Sequence, residues 1–250
     1  MVMDLLSSIF RWLHVFFGIV WIGHLYFFNF VNGPFQATMD GETKKKVNPE
    51  LLPRALFWFR WGAAFTWVTG VLLLLLVFYH GGITLDTTAS WGVVQILMIV
   101  LVFASPFIYD PLCKTVFSDI KVAFWGGWAL ATIFACVMAY VASFSYRGFT
   151  IHLGAAFGTI MAYNVWFRIW PAQQKIITAV KNGEAPDPAL VAMAGTRSRH
   201  NTYMSVPLVY FMLNQHNIFQ TDPFHLSIAI LIGWALVYHL YDRAAQVKGF

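Results

Sequence analysis

The feature that most constrains this chain is a series of apolar runs too long for a soluble fold. Crossing the ~30 Å hydrocarbon core of a bilayer takes about 20 residues of helix, so 18 or more apolar residues in a row read as a transmembrane helix. Seven such spans are expected, at about 5–30, 54–79, 89–110, 119–144, 150–170, 199–217 and 224–245. The first is too long and too aromatic for a cleaved signal peptide and is kept as a mature helix. Composition agrees: of 250 residues 59% are hydrophobic and only 11% charged, under half the roughly 25% usual in soluble proteins. The expected fold class is therefore all-α, an integral membrane helical bundle of about seven transmembrane helices forming one domain over 1–250.

Charge sets the orientation. The formal net charge is +5, which in a membrane protein reflects basic cytoplasmic loops rather than nucleic-acid binding. Lys44, Lys45 and Lys46 fall in the 31–53 loop, Lys114 in 111–118, Lys175, Lys181 and Arg197 in 171–198, and Arg243 and Lys248 in the tail. The alternate loops hold only Arg147. The N-terminus is thus expected outside, and the C-terminus and the loops 31–53 and 171–198 in the cytoplasm. Within 171–198, "QQKIITAVKNG" predicts a short amphipathic interfacial helix closed by Gly183, followed by a rigid "EAPDP" turn. Cys113 and Cys136 lack CxxC spacing and read as small buried hydrophobes.

Ionisable groups inside a membrane are costly and point to function. The eight histidines sort by depth at 1.5 Å per residue. His14, His152 and His216 form an outer group, with His80 and His225 at its rim as polar groups reaching the headgroups. His24, His200 and His239 form an inner group. Imidazole is the usual axial ligand of b-type haem on helical scaffolds, so two depth groups can hold two haems, and one haem is equally allowed by the count. His14 has Gly18 at i+4 and Trp21 at i+7 on its face, which leaves room for a flat macrocycle or for a neighbouring helix. His24 lies about 15 Å along the axis and roughly 80° around from His14, so the two cannot ligate one iron. It reads as a contact to a backbone carbonyl across a helix interface. His152 opens a run of small residues, "HLGAAFG", that permits close approach of a porphyrin or a helix, and Asn164 adds a polar group further in. Arg60 is the other costly residue. It can snorkel to the headgroups or pair with an anion: Asp110, a haem propionate or an anionic substrate.

Five segments carry a family resemblance: "RWLHVFFGIVWIG", "WFRWGAAFTWVTG", "HLGAAFGTIMAYNVWFRIWPAQQK", "GEAPDP" and "RHNTYMSVPLVYFMLNQH". Through them the chain resembles the membrane-spanning N-terminal domain of bacterial membrane-bound urate oxidase (urate hydroxylase). The positions matching its motifs are His14, Arg60, Asp110, His152, Asn164, His200, Asn201, His216 and His239, whereas His24, His80 and His225 match nothing typical. The resemblance implies a membrane oxidoreductase that passes electrons toward a cytochrome c. Members of that enzyme type carry a C-terminal c-type cytochrome domain, and no CxxCH motif occurs up to Phe250.

The resulting expectation is a membrane-embedded haem b protein, with one or two haems, that mediates electron transfer as a subunit or partner of a respiratory oxidoreductase. Electrons would leave to a separate cytochrome c or to quinone. His14, His152, His216 and His239, then His200, are the expected iron ligands; Arg60, Asn164 and Asn201 are candidate cofactor-binding groups. Three alternatives predict different observations. A membrane-bound oxidase or dehydrogenase of urate or another small molecule predicts substrate-dependent haem reduction, and a cofactor-free structural subunit predicts no Soret band. A copper-transport protein predicts clustered Met or Cys, but the nine methionines form no MxxM cluster.

Overall fold

The computed structural model describes residues 2–216 and 222–248. Of the expected segments, the end of the span at 217 and part of the following loop fall outside these residues. Of the described residues 87% are helical, and among them there is no strand, only one isolated bridge between Leu85 and Phe144. Eight helices carry the description. They are α1 (Val2–Thr38), α2 (Gly41–His80), α3 (Val93–Lys114), α4 (Ile120–Val141), α5 (Tyr146–Asn164), α6 (Trp170–Asn182), α7 (Pro188–Asn214) and α8 (Phe224–Gln246). The expected loop 31–53 is mostly helix. A π-helical turn over Phe27–Asn32 carries α1 on to Thr38, and α2 already begins at Gly41.

Four helices start on an aspartate. The Oδ1 atoms of Asp40, Asp119, Asp187 and Asp222 accept the backbone N–H groups of Thr43, Lys121, Ala189 and Phe224 at 2.7, 2.8, 2.8 and 2.9 Å. Each satisfies an orphan donor of a first turn, so several of the chain's few acidic residues serve as helix caps. At the other end of α6, Gly183 takes the left-handed conformation (φ 77°) that closes a helix, as the sequence predicts. Helix α7 begins at Pro188, after the "EAPDP" turn.

Among the described residues five helices, α1, α2, α3, α4 and α8, are long and apolar enough to cross a membrane. Their outward surfaces are apolar: Trp12 is 70% exposed, Ile19 68%, Phe107 69% and Ile232 65%. Water would penalise such faces and lipid does not. Helix α5 is of another kind. Phe149, His152, Leu153, Ala156, Phe157 and Met161 are all buried, and its small residues and histidine lower its hydropathy. Helix α7 carries the polar run Thr196–Asn201.

The chain divides into two compact units. The first contains the start of the chain to Phe10, Gly70–Ile160 and Met204–Trp234; the second contains Arg11–Thr69, Met161–Tyr203 and the chain from Ala235. In the first, the segment after α2 is laced to the start of α5. Asp86 N–H donates to the Ser143 carbonyl (3.0 Å), Ser145 N–H to that of Thr84 (2.9 Å) and Ser145 Oγ to that of Ile83 (2.7 Å). Gly148 lies so close that a Cβ there would stand 1.9 Å from the Thr84 oxygen. Gly233 likewise meets the Pro207 ring, at 2.9 Å from where its Cβ would be. In the second unit, α1 and α2 touch backbone to backbone: a Cβ on Gly62 would lie 3.0 Å from the Trp21 nitrogen.

Candidate functional site

His14 belongs to the second unit, on the face of α1 that meets α2. Its Nδ1 lies 2.9 Å from the Thr66 carbonyl oxygen and 3.2 Å from Thr69 Oγ1. A carbonyl can only accept, so Nδ1 carries the proton and Nε2 the lone pair. Thr69 can accept as well, because its own hydroxyl donates to the Phe65 carbonyl at 2.6 Å. Among the described residues no protein group engages Nε2. A hydrogen-bond partner behind a metal-ligating histidine imposes this same arrangement: one nitrogen anchored, the tautomer fixed, the other nitrogen available. The space beside Gly18 is taken by α2, with Thr66 Cγ2 3.9 Å from a Cβ built there. The glycine-backed face of His14 therefore serves helix packing, and a macrocycle bound to Nε2 would lie elsewhere around the imidazole.

His152 belongs to the first unit and is fully buried. Its Nδ1–H donates to the Gly148 carbonyl at 2.7 Å, which again leaves the lone pair on Nε2. Here the second nitrogen is taken: Tyr79 Oη lies 2.9 Å away and donates to it. Phe78 and Phe144 pack edge-on at ring-centroid distances of 6.5 and 5.0 Å. The donor chemistry fits iron ligation, but the Tyr79 hydroxyl must first give up Nε2.

The remaining expected ligands are placed individually. His200 is half-buried on α7, next to the fully buried Asn201. His239 is exposed on α8, and His216 is exposed just beyond α7. Among the described residues no group of three or more His, Cys, Asp or Glu side chains is gathered in a way that could hold a metal ion. Asn164 and Asn201, singled out separately in the sequence, meet: Asn164 Nδ2 donates to Asn201 Oδ1 at 2.8 Å, and Asn201 Nδ2 to the Met161 carbonyl at 3.0 Å.

Two histidines depart from expectation. His24 does reach a backbone carbonyl, but that of Val20 in its own helix, at 2.7 Å, rather than one across an interface. His225 does not reach outward for headgroups. Its Nδ1 donates to the Asp222 carbonyl, Asn214 Nδ2 donates to its Nε2 at 3.2 Å, and its ring stacks on Tyr146 at 5.5 Å.

Arg60 sits in an aromatic cage. Its guanidinium lies 4.0 Å over the Trp170 ring and 5.8 and 5.7 Å from those of Trp166 and Phe57. Trp166 Nε1 donates to the Arg60 carbonyl at 2.9 Å. Asp110, an expected partner, is a buried carboxylate that pairs with Lys114 one turn along its own helix at 3.2 Å.

Some polar groups were missed in the sequence. Asn29 donates to Ser198 Oγ at 2.9 Å and accepts from Tyr241 Oη at 2.7 Å, joining α1, α7 and α8 within the second unit. The signal was an asparagine inside the aromatic run "FFNF". Thr66 and Thr69, three apart in "FTWVTG", gave a similar signal beside His14. For Tyr79 there was none, because a tyrosine at a span end reads as an interfacial anchor.

An all-helical chain with five membrane-length apolar helices and buried polar side chains within its units defines a multi-pass membrane protein. The family model described as urate oxidase N-terminal matches residues 39–248. The chain belongs to that family, as its motifs indicate, and is a membrane domain of the urate-oxidase-associated kind. No curated protein matches it, and no solved structure does.

Proposed function

We propose that the chain is a seven-span haem b protein of a bacterial inner membrane that carries single electrons, with its N-terminus outside and its C-terminus cytoplasmic. In this reading α5 and α7 complete the seven spans, and 1–250 is one membrane domain. The observation that carries the reading is His14: a half-buried imidazole with Nδ1–H tied to a backbone carbonyl and a lone pair on an unengaged Nε2. Bound haem would supply a one-electron couple whose potential follows its ligands and their hydrogen bonds. The protein's part is to hold His14 in one tautomer and orientation through Thr66 and Thr69, and so to make Nε2 a more basic donor. His152, His216, His239 and His200 are the candidates for further ligation. Asn164 and Asn201 supply a rigid polar pair between α5 and α7. The electrons would pass to a separate cytochrome c, to quinone or to another respiratory subunit.

A reduced-minus-oxidised spectrum with pyridine haemochrome quantification tests the reading on natively purified protein. One or two haems b per chain are expected, and His14→Ala should lose one. A preparation with no Soret band would overturn the proposal in favour of a structural subunit. The family description favours one second reading, a membrane-bound urate-oxidising enzyme, and urate-dependent reduction of the haem would select it.

A further inference from the structure

The uncompensated cation of the second unit calls for an anion. Arg60 makes no ion pair and no side-chain hydrogen bond among the described residues, and its Nε–H is buried without an acceptor. A buried donor left unsatisfied is destabilising, and an arginine within an apolar run is more so. The cage offsets part of this through cation–π attraction, but aromatic faces cannot accept the guanidinium's directional N–H bonds as an anion's oxygens can.

His14 and Arg60 serve different sites. Gly62 faces α1 through Trp21, and Thr66 one turn on faces His14. Arg60 precedes Gly62 by two residues, about 200° around α2. It thus points away from α1, toward Trp166 and Trp170. A haem held by His14 against α1 is therefore poorly placed to receive Arg60.

What surrounds the cage suits one class of ligand. Phe57, a cage wall, is 45% exposed, and Trp58 and Trp61 beside it are 56% and 38% exposed. This is an apolar surface against which acyl chains can lie. Arg60 is only about 9 Å along α2 from Arg54, where the apolar run begins. Trp170 continues directly into amphipathic α6, which bears a cleft of about 490 Å³ lined by Pro171, Gln174, Lys175, Thr178, Ala179 and Glu184. Lys175, Gln174 and Thr178 add donors along it, and Glu184 is its only carboxylate. Lys45 approaches the end of α6, its Nζ 3.1 Å from a Cβ built on Gly183. Basic pockets at the membrane edge suit anionic lipid headgroups.

We propose that the Arg60 cage and the adjoining α6 cleft bind the phosphodiester headgroup of an anionic membrane phospholipid. The guanidinium meets the phosphate oxygens, Lys175 reinforces the charge, and the acyl chains lie along Phe57 and Trp61. This inference stands independently of the haem reading.

The test is lipid binding by the purified full chain, followed by native mass spectrometry and by thermal melting. The additives are phosphatidylglycerol, phosphatidylcholine or inorganic phosphate. Phosphatidylglycerol should be retained, and should raise the melting temperature, in preference to phosphatidylcholine. Inorganic phosphate should do neither. Arg60→Gln should weaken the preference for phosphatidylglycerol about fivefold, as loss of one interfacial charge implies. Arg60→Lys, which keeps the charge but not the fork, should weaken it less. Lys175→Gln, at the cleft and outside the apolar run, should weaken it in a chain that still folds if Arg60→Gln does not. Equal retention of both lipids by the wild type overturns the proposal. So does an unchanged preference in both Arg60→Gln and Lys175→Gln. A melting shift from inorganic phosphate equal to that from phosphatidylglycerol would assign the cage to a free anion instead.

Discussion

His14 and His152 are anchored through the same nitrogen and differ at the other. In each, Nδ1–H donates to a backbone carbonyl and leaves the lone pair on Nε2. At His14 that lone pair meets no protein partner among the described residues; at His152 it accepts from Tyr79. The anchors differ too. His14 is tied to a neighbouring helix, whereas His152 is tied to Gly148 one turn back in its own helix and through Tyr79 to the end of α2. The first looks like a ligand held ready and the second like a rivet in the lacing between 78–86 and 143–152. A histidine's chemistry in a membrane depends on what has been left over for it after packing.

The largest expected effect tests how rigid that lacing is. Gly148→Ala would drive a methyl group into the Thr84 carbonyl, at 1.9 Å, where both sides are backbone. It should destabilise the protein by ~4 kcal/mol or more, or prevent folding. Gly62→Ala meets the Trp21 backbone at 3.0 Å, where the two helices can shift apart slightly, and should cost about 1–3 kcal/mol. Gly18→Ala, with only Thr66 Cγ2 at 3.9 Å, should be tolerated. Thermal unfolding of the three variants in one detergent gives the ranking. A milder effect of Gly148→Ala than of Gly62→Ala would remove the contrast between a rigid clasp and a softer helix contact.

The two histidines can be separated next. Tyr79→Phe removes the donor to His152 and leaves a fully buried Nε2 acceptor unsatisfied, at a cost of about 1–3 kcal/mol. If His152 is a rivet, the melting temperature falls in Tyr79→Phe, while any haem that the protein is found to bind stays unchanged in content and spectrum. If His152 ligates iron in the loaded protein, Tyr79 has already moved aside. Tyr79→Phe would then be nearly neutral to stability and His152→Ala would lose haem, so the comparison would break.

These differences mark what the sequence could and could not reveal. Long apolar runs read directly as helices, because a bilayer leaves the backbone few other choices. Gly183 and the "EAPDP" turn stated where α6 ends. The stretch 31–53, by contrast, reads as a loop because its polar and basic residues leave no apolar signature, although most of it is helix. Aromatic and amide partners were less legible still. Asn164 stands out for its polarity and Asn201 only through the family motif, and their pairing depends on how α5 and α7 cross. Arg60 was noticed for its charge, but its cage is assembled from residues 57, 166 and 170. Nothing in the sequence of α2 predicts that Thr66 offers its carbonyl to His14, since one helix turn looks like another until its neighbour is known.

The buried amide pair gives an intermediate effect. Asn164→Ala or Asn201→Ala should each cost about 1–3 kcal/mol. The double variant should cost less than their sum, with a coupling of about 0.5–3 kcal/mol read from a double-mutant cycle. Strict additivity would mean that the 2.8 Å contact contributes nothing specific to holding α5 against α7.

The smallest effect lies outside the membrane, at Asp40, where the lever is pH. The Thr43 backbone N–H donates to its carboxylate, and this holds its pKa below the ordinary 3.8. A carboxylate whose folded pKa is lowered contributes stability that is fully present above its unfolded value and lost as pH falls through its folded value. The start of α2 should therefore be indifferent to pH from 7 down to about 5 and fray only below the ordinary carboxylate range. Because the cap is exposed, the effect should stay local. Amide exchange at Thr43 and Lys44 would quicken in acid while the melting of the buried helices stayed unchanged. In Asp40→Asn the side chain can still cap the helix but no longer titrates, so the acid-dependent part of that exchange should vanish. If it persisted, the acid sensitivity of this end of α2 would belong to another group.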